Sequence, residues 1–278
     1  MSERSLEGRA AGVTGGASGM GRAIALALAE AGADVAIGSL LAEGATTRPA
    51  DADTYFPTGE ELDAARAALE AKGARVLARP LDVRSNEQVQ GFFEAACEAF
   101  GKIDILVNVA GMDVNQTVAG HPDDLWHRVI DTNLNGNYRT IKRCLPGMIE
   151  RGWGRIVIIA STAASVGSPT NAAYCASKAG LLGLMRCVAL EGAPHGVTCN
   201  AISPGFVDTP MAETFFRHAV ERGEAASVEA ARAEAIKDYP QGAFIEPGDI
   251  ASLAAYLCGE GAARITMEDM RVSGGALW

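Results

Sequence analysis

The sequence predicts an α/β fold in which a doubly wound parallel sheet lies between two layers of helices. Short apolar runs that are typical of buried strands alternate with segments of helical period along the chain. Repeated in this way, they require right-handed crossovers and a sheet that is covered on both faces. The chain has 278 residues, of which 48% are apolar, and no internal repeat or long linker. We therefore expect one three-layer α/β/α domain over residues 1–278.

The hydrophobic pattern assigns the individual elements in order. Strands are expected at about 10–14, 33–38, 75–79, 104–108, 155–160, 197–202 and 269–273. Helices of period near 3.6 are expected at about 19–31, 60–72, 86–100, 122–150, 172–192 and 247–258.

Charge and cysteine usage restrict the possible partners and location. The chain has 34 acidic and 24 basic residues, and its net charge of −10 repels nucleic acid phosphates and anionic membranes. The N-terminus lacks a leader pattern, and we expect no apolar run of about 18 residues. The six cysteines lack CxxC spacing and the four histidines lack metal-ligand spacing. We expect a cytoplasmic protein with reduced thiols, no metal, and neither nucleic acid nor membrane as partner.

The first predicted strand leads into a glycine-rich turn, TGGASGMG, which opens a helix. Gly15 permits the tight turn, Gly19 lets the backbone approach a pyrophosphate, and Gly21 allows close packing of helix and sheet. The helix N-terminus then faces the anion. Glycines also close ordinary loops, but between strand and helix this pattern favours the dinucleotide site of a Rossmann fold.

The end of the second predicted strand bears on the choice between NAD and NADP. The strand ends at Ser39 and Leu40, with no carboxylate at the tip to hold a ribose diol. This absence gives a lean toward NADP, although no arginine stands at position 40 to bind its phosphate. Arg22 or Arg48 could replace it. Glu43 could instead bind the diol, so NAD remains a candidate.

A hydroxyl, a phenol and an ammonium group follow the fifth predicted strand. Ser161 ends the apolar run, and Lys178 lies one helical turn after Tyr174, on the same face. A cation beside the phenol is expected to lower its pKa toward the working range of an acid–base catalyst. Taken alone, YxxxK can occur by chance and Ser161 could be an ordinary turn residue.

These motifs together resemble the short-chain dehydrogenase/reductase family over nearly the whole chain. TGGASGMG resembles its TGxxxGxG motif, and NVAG at 108–111 resembles its NNAG motif, with Val109 in place of the second asparagine. TNLNG holds Asn133 at the position of the family's catalytic asparagine. SPGFVDTPM resembles the segment after its sixth strand. The resemblance implies an NAD(P)-dependent oxidoreductase of secondary alcohols and ketones.

The resemblance also implies roles for individual residues. Asn133 would hold a helix kink and a water that links Lys178 to solvent, although it could equally cap or kink its helix without any other role. Lys178 would also bond the nicotinamide ribose. Asp82 and Val83 would flank the adenine, unless Asp82 only closes a turn. The expected cofactor contacts are Gly15, Ser18, Gly19, Met20, Gly21, Ser39, Asp82, Val83, Asn108, Ala110, Gly111, Tyr174, Lys178, Pro204, Gly205, Val207 and Thr209.

The expected mechanism follows from these assignments. A carbonyl oxygen would bond to Ser161 and Tyr174, and Tyr174 would give its proton as hydride reaches the carbon; oxidation is the reverse. A non-catalytic dinucleotide sensor of the same fold is the alternative. Ser161, Tyr174 and Lys178 are all intact, which favours the enzyme.

Two segments extend beyond the regular alternation of strands and helices. The insertion at about 40–60 follows the second strand, and Tyr55, Phe56 and Pro57 favour some order in it. It is expected to cover the adenosine end of the cofactor site or to pack on a neighbouring subunit. A neutral surface insertion is equally compatible with the sequence.

The second segment, at about 210–240, is predicted to form two lid helices that control access to the substrate. Met211, Phe215 and Phe216 are expected to face an apolar pocket for a medium-sized, partly apolar alcohol or ketone. Sugars and polyols remain open as substrates.

The family commonly assembles as tetramers through the helices that here start near 122 and 172 and through the C-terminal segment. The chain ends on the apolar residue Trp278. We therefore expect a homo-oligomer, by resemblance a homotetramer.

Overall fold

The computed structural model describes residues 5–43 and 55–276 and contains a seven-stranded parallel sheet of order β3-β2-β1-β4-β5-β6-β7. Strands β2 and β3 therefore lie on one side of β1, and β4 to β7 lie on the other. The strand order reverses between β1 and β4, which are hydrogen-bonded neighbours. The predicted doubly wound fold is confirmed. The strands are β1 Ala10–Thr14, β2 Asp34–Ser39, β3 Val76–Pro80, β4 Ile105–Asn108, β5 Gly154–Ile159, β6 Val197–Pro204 and β7 Asp269–Val272.

The helices of the described residues cover both faces of this sheet. They are α1 Gly19–Glu30, α2 Gly59–Glu70, α3 Asn86–Phe100, α4 Asp123–Ile130, α5 Gly136–Arg151, α6 Ala172–Gly192, α7 Pro210–Glu221, α8 Val228–Ala235 and α9 Pro247–Cys258. Predicted and observed bounds differ by at most two residues, except in the segment 122–150 and in the lid.

Two hydrophobic cores lie on opposite faces of the sheet. On one face, α1, α2 and α9 bury side chains such as Leu28, Leu69 and Ile250. On the other, α3, α5 and α6 bury side chains such as Phe92 and Leu181. This arrangement gives the three layers predicted from the sequence.

The prediction of a single helix at 122–150 is wrong. The segment instead forms α4, a π-helical turn at Asp131–Asn135, and α5. In the turn, the amide of Gly136 donates to the carbonyl of Asp131, one residue further back than in an α-helix. Such a turn shifts the phase of the apolar period once, over five residues, and a window of helical period on either side still reads as one helix.

Helix α6 and the short turn after it, Ala172–His195, are long and apolar enough to cross a membrane by length and composition, although no such stretch was expected. In the fold, Leu181 and Met185 from this helix are buried in the core beside β6. Ser177 and Lys178 are buried in the same helix. A helix buried against the sheet in this way is a core helix of the fold.

The turn between β1 and α1 depends on a close contact between glycines. A Cβ added to Gly21 would lie 2.1 Å from the carbonyl oxygen of Gly15. No relaxation of a flexible side chain could relieve this contact, because it is made by backbone. The glycine therefore allows α1 to start directly above the end of β1.

Gly21→Ala should consequently destabilise the protein by about 1–3 kcal/mol or more, since overpacking at a rigid site has this cost. The matched control is Gly91→Ala in α3, where an added Cβ meets nothing within 4 Å. The control should be neutral or stabilise by up to about 1 kcal/mol, because alanine favours a helix over glycine. Urea unfolding measures both; equal midpoints for the two variants would contradict the packing argument.

Candidate active site

An open cleft lies at the carboxyl ends of the strands, where the order of the sheet reverses, the usual ligand position in such folds. The space within it, including the part that is open to solvent, is about 1040 Å³. Eleven of the predicted cofactor contacts line it: Gly15, Ser18, Gly19, Met20, Gly21, Ser39, Asp82, Val83, Ala110, Gly111 and Thr209.

One wall of the cleft is a cradle built from glycine backbone. Gly15 and Gly19 have φ angles of 69° and 49°, in the left-handed region that favours glycine. A Cβ on Gly15 would come within 3.1 Å of the amide nitrogen of Ala110, and one on Gly19 within 3.3 Å of the Thr209 side chain. Because α1 begins here, its N-terminal amides face the same space. The cradle fits a dinucleotide pyrophosphate.

The other end of the cleft lies between the end of β2 and the predicted insertion. Leu40, Tyr55, Phe56 and Pro57 line it, which agrees with an insertion that covers this end. Residues 44–54 of the insertion, which include Arg48, lie outside the described residues. Glu43 accepts a hydrogen bond from the amide of Gly59 at 3.2 Å, at the start of α2.

Among the described residues, Arg84 is a cation at this end of the cleft, and no pattern in the sequence indicated it. Arg22 is exposed and does not line the cleft, whereas Arg84 does. The Arg84 guanidinium binds the Asp82 carboxylate through two nitrogens, with an Nη2–Oδ2 distance of 2.6 Å. Burial raises the pKa of Asp82, but hydrogen bonds from Arg84 outweigh this and lower it overall. This ion pair sits where the adenosine part of a dinucleotide is expected.

The three predicted catalytic groups lie together beside the cleft. Ser161 follows β5, accepts a hydrogen bond from the amide of Ala163 at 3.1 Å, and lies near enough to the Tyr174 phenol to lower its pKa. The Nζ atom of Lys178 lies 5.4 Å from the centre of the Tyr174 ring and donates to the carbonyl of Ile159 at 2.8 Å. A Cβ added to Gly111, on the cleft wall, would lie 3.8 Å from this Nζ atom. The group therefore adjoins the site that the cradle forms.

The pKa shifts of this group differ from the prediction. Burial raises the pKa of Tyr174, Asp113 raises it further, and the nearby Ser161 hydroxyl lowers it only in part. Burial lowers the pKa of Lys178 to about 8, although Asp113 acts in the opposite direction. The predicted lowering of the phenol pKa is wrong for the chain by itself, because spacing along a helix gives no measure of burial.

Asn133 connects the π-helical turn to this group. Its side-chain oxygen accepts from the amide of Met112 at 2.8 Å, and its nitrogen donates to the Met112 carbonyl at 2.9 Å and to the Ser177 hydroxyl at 3.0 Å. Ser177 in turn donates to the Tyr174 carbonyl at 2.7 Å. The π-helical turn thus places the fully buried side-chain amide of Asn133 where it bonds to both the loop after β4 and α6.

Known proteins resemble this chain over nearly its whole length. A family model described as enoyl-(acyl carrier protein) reductase matches residues 15–276. A D-beta-hydroxybutyrate dehydrogenase of Rhizobium meliloti is 34% identical over 263 residues, or 95% of this chain and 96% of that protein. A 3-oxoacyl-(acyl-carrier-protein) reductase of Staphylococcus aureus is 31% identical over 263 residues, with the same two shares. The chain belongs to the short-chain dehydrogenase/reductase family.

A solved structure agrees with this assignment. A variant of the actinorhodin polyketide ketoreductase, solved with NADPH, superposes with a TM-score of 0.86 at 36% identity and covers 96% of this chain and 97% of that one. The chain is accordingly an oxidoreductase of the short-chain dehydrogenase/reductase family that acts on alcohol or keto groups. A non-catalytic sensor is no longer needed to explain the motifs.

Some contacts expected from the family do not line the cleft. Asn108 is buried and its side-chain oxygen accepts from Thr140, so it ties β4 to α5. Pro204 and Val207 are also buried, and a Cβ on Gly205 would lie 3.2 Å from the Tyr239 hydroxyl. These positions shape the segment after β6 and are not part of the wall of the cleft.

The lid region contains α7 and α8, as two helices were predicted there. Met211 lines the cleft, but Phe216 does not face it. Phe216 is buried and stacks on Phe206 and Phe244, with ring centres 5.0 and 5.9 Å away. Phe215 and Phe216 therefore pack on other aromatic rings of the lid, although both were expected to face the pocket with Met211.

An ion pair joins α8 to the segment after β6. The two terminal nitrogens of the Arg232 guanidinium donate to the Asp208 carboxylate, Nη1 at 3.0 Å and Nη2 at 2.5 Å. The same guanidinium lies 5.4 Å above the Phe244 ring. This pair and the aromatic rings give the lid a small core of its own.

Several cleft residues have no local sequence signal. Met112 and Thr132 line the cleft because the loop after β4 meets the π-helical turn there, and Arg128 lies one helical turn before Thr132. Their positions depend on long-range packing. An apolar loop residue and a helix cation are ordinary by themselves, so the sequence offers nothing that would single them out.

Removal of the Asn133 amide should destabilise the fold. In Asn133→Ala the buried amide and carbonyl of Met112 both lose their partner, and unpaired buried polar groups cost about 1–3 kcal/mol each. We expect a loss of about 2–4 kcal/mol in the free energy of unfolding, measured in urea. In the control Asn135→Ala, an exposed hydrogen bond to Asp131 is lost, and the change should stay within about 0.5 kcal/mol. Equal losses would refute this role.

Proposed function

We propose that this enzyme interconverts a secondary alcohol and a ketone, with Tyr174 as the general acid and base. The observation that carries the proposal is the group of Ser161, Tyr174 and Lys178, with Asn133 tied to it through Ser177, next to Gly111 on the cleft wall. These four side chains come from three separate segments of the chain: the residue after β5, the π-helical turn and α6. A buried cluster of this composition is expensive to desolvate, which argues for a chemical role.

The cofactor is a nicotinamide dinucleotide, which would supply or accept the hydride at the carbonyl carbon. The glycine cradle at Gly15 and Gly19 would hold its pyrophosphate, and the wall at Ala110 and Gly111 would face its nicotinamide half. Asp82 and Val83 would flank the adenine. The relative solved with NADPH supports the class of cofactor.

The lean toward NADP is part of the proposal. The Ser39 hydroxyl already accepts from the amide of Ala17 at 3.0 Å, and no carboxylate of the described residues lies at the tip of β2. Arg84 lines the same end of the cleft and could bind a ribose 2′-phosphate. NAD remains the alternative, since Asp82 holds this guanidinium.

The chain's own residues would handle the proton. In reduction, Tyr174 donates its phenolic proton to the developing alkoxide, while Ser161 donates a hydrogen bond to the same oxygen. The raised pKa of Tyr174 keeps the phenol protonated, as reduction requires. The Lys178 ammonium stabilises the phenolate that is left. Oxidation reverses each transfer.

We also propose a cytoplasmic homotetramer. Tyr138 on α5 and Leu190 on α6 are 49% and 65% exposed, and both lie on the helices through which the family commonly assembles. Exposed apolar side chains on neighbouring helices are suited to contact between subunits. Trp278, at the end of the chain, lies outside the described residues.

The general acid is tested with Tyr174→Phe. Loss of a positioned acid costs about 10²–10⁴-fold in rate, so turnover should fall by that factor while cofactor affinity stays near wild type. The measurement is nicotinamide absorbance over a panel of alcohols and ketones, with NADH and NADPH in turn. Tyr256→Phe, which changes an exposed tyrosine on α9, is the control. A Tyr174→Phe variant that keeps more than about a tenth of the native rate would exclude the role.

The pKa of Lys178 predicts the pH dependence of reduction. Since the ammonium is the active form and its pKa is about 8, kcat/KM for a ketone should be level below that pH and fall above it. In Lys178→Arg the guanidinium stays charged at any accessible pH, so any residual activity should lose its fall near pH 8. The same alkaline fall in both proteins would assign it to another group.

A further inference from the structure

Thr209 stands where the lid meets the glycine cradle. It lines the cleft, and a Cβ added to Gly19 would lie 3.3 Å from its Cγ2 methyl group. Its side-chain oxygen accepts from the amide of Ala212 at 3.3 Å and so caps the start of α7. A ligand that fills the cradle beside Gly19 therefore lies next to the residue from which the lid departs.

The segment that leads to Thr209 is held along one side by the chain that follows the lid. The amide of Ile245 donates to the Phe206 carbonyl at 3.0 Å, and the amide of Asp208 donates to the Ile245 carbonyl at 2.9 Å. Val207, between them, forms a parallel bridge with Ile245. These bonds use only the backbone, so the Asp208 carboxylate is left for a different partner.

Arg232 on α8 is that partner. Its Nη1 and Nη2 atoms donate to the two carboxylate oxygens of Asp208, the geometry in which arginine binds a carboxylate most strongly. Glu213 makes a weaker contact, with its Oε2 atom 3.7 Å from Nη1. The guanidinium also lies 5.5 Å from the centre of the Phe216 ring. Arg232 thus joins α8 both to the segment before Thr209 and to the aromatic rings of the lid.

Helix α8 has little else that attaches it to the rest of the protein. The structure describes all of Val228–Ala235, and no residue within it is buried. Helices in proteins are held mainly by burial of an apolar face, which α8 lacks. The side chains of Arg232 and Asp208 are 29% and 35% exposed, so solvent screens their attraction only in part. This ion pair is therefore a main attachment of α8.

We propose that Arg232 is a positioning residue for the cofactor: by holding the Asp208 carboxylate, it keeps Thr209 against the glycine cradle and raises the affinity of the cleft for the dinucleotide. The inference rests on the cofactor of the proposed function, because the cradle must hold its pyrophosphate. Arg232 does not line the cleft, so it acts through Asp208 and Thr209. Linkage between two sites is reciprocal, and the bound cofactor consequently also stabilises α8 on Asp208.

Arg232→Met tests the inference, since methionine is also long and unbranched but cannot bind a carboxylate. The dissociation constant for whichever of NADH and NADPH the wild type binds more tightly should rise at least about fivefold, the lower end of typical coupling between sites. Affinity for the matching adenosine half, AMP or adenosine 2′,5′-bisphosphate, should stay within about twofold. That half belongs at the end of the cleft with Leu40 and Arg84, away from Thr209. Calorimetry measures both ligands.

Arg217→Met is the matched control, because Arg217 is an exposed arginine of the same lid that bonds to Thr214 within α7. It should leave both dissociation constants within about twofold of wild type. Arg232→Lys should lie between wild type and Arg232→Met, since lysine keeps the charge but not the two-point geometry. Asp208→Asn combined with Arg232→Met should bind the dinucleotide no more weakly than the weaker of the two single variants, because both remove the same contact.

Three results would overturn the inference. In the first, Arg232→Met binds the dinucleotide as tightly as wild type. In the second, it loses affinity equally for the dinucleotide and for the adenosine half, which would assign Arg232 a general structural role. In the third, the effects of the two single changes add in the double variant.

Failure of the proposed chemistry gives a different pattern. If Arg232→Met weakens dinucleotide binding but the wild type turns over no alcohol or ketone, the role of Arg232 stands and the chemistry is rejected. If the wild type reduces a ketone and its cofactor affinity does not depend on Arg232, the chemistry stands and the inference is rejected. A wild type that binds neither NADH nor NADPH rejects both.

Discussion

The buried amide of Asn133 is the interaction on which the site depends. It binds both backbone groups of Met112 and the hydroxyl of Ser177, so one side chain connects the loop after β4, the π-helical turn and α6. Each of these segments supplies part of the wall around the proposed catalytic group. A regular α-helix through this segment would point position 133 elsewhere, which explains why the helix widens there.

Burial is the largest cause of the pKa shifts of Tyr174 and Lys178. The phenol and the ammonium of Lys178 each lose solvent, and each is pushed toward its neutral form. Asp113 adds a negative charge that favours the protonated form of both. The chain's own residues thus keep the Tyr174 phenol protonated, which is the form that the proposed reduction needs. A bound cofactor brings its own charges into this balance, and the chain's residues define the starting point.

The parts of the fold and the site that depend on short-range spacing were predictable. The glycine turn between Gly15 and Gly21 and the four-residue step from Tyr174 to Lys178 are local geometry, and the parallel, doubly wound sheet follows from the strand–helix alternation. The positions of Arg84 and Asp113 were not predictable, because they depend on how a turn after β3 and a loop after β4 fold against distant segments. The pKa of Tyr174 was predicted in the wrong direction for the same reason, since burial is a property of the whole fold.

The aromatic rings under α7 and α8 have a consequence for how such an enzyme diversifies. Phe206, Phe216 and Phe244 pack on one another, and Arg232 clamps α8 to Asp208, so the lid is stabilised largely from within. Residues on its inner surface, such as Met211, can then be exchanged with little effect on the sheet or on proton transfer. Substitutions confined to this one segment of the chain would therefore change which molecules enter the cleft, while the residues around Tyr174 stay in place.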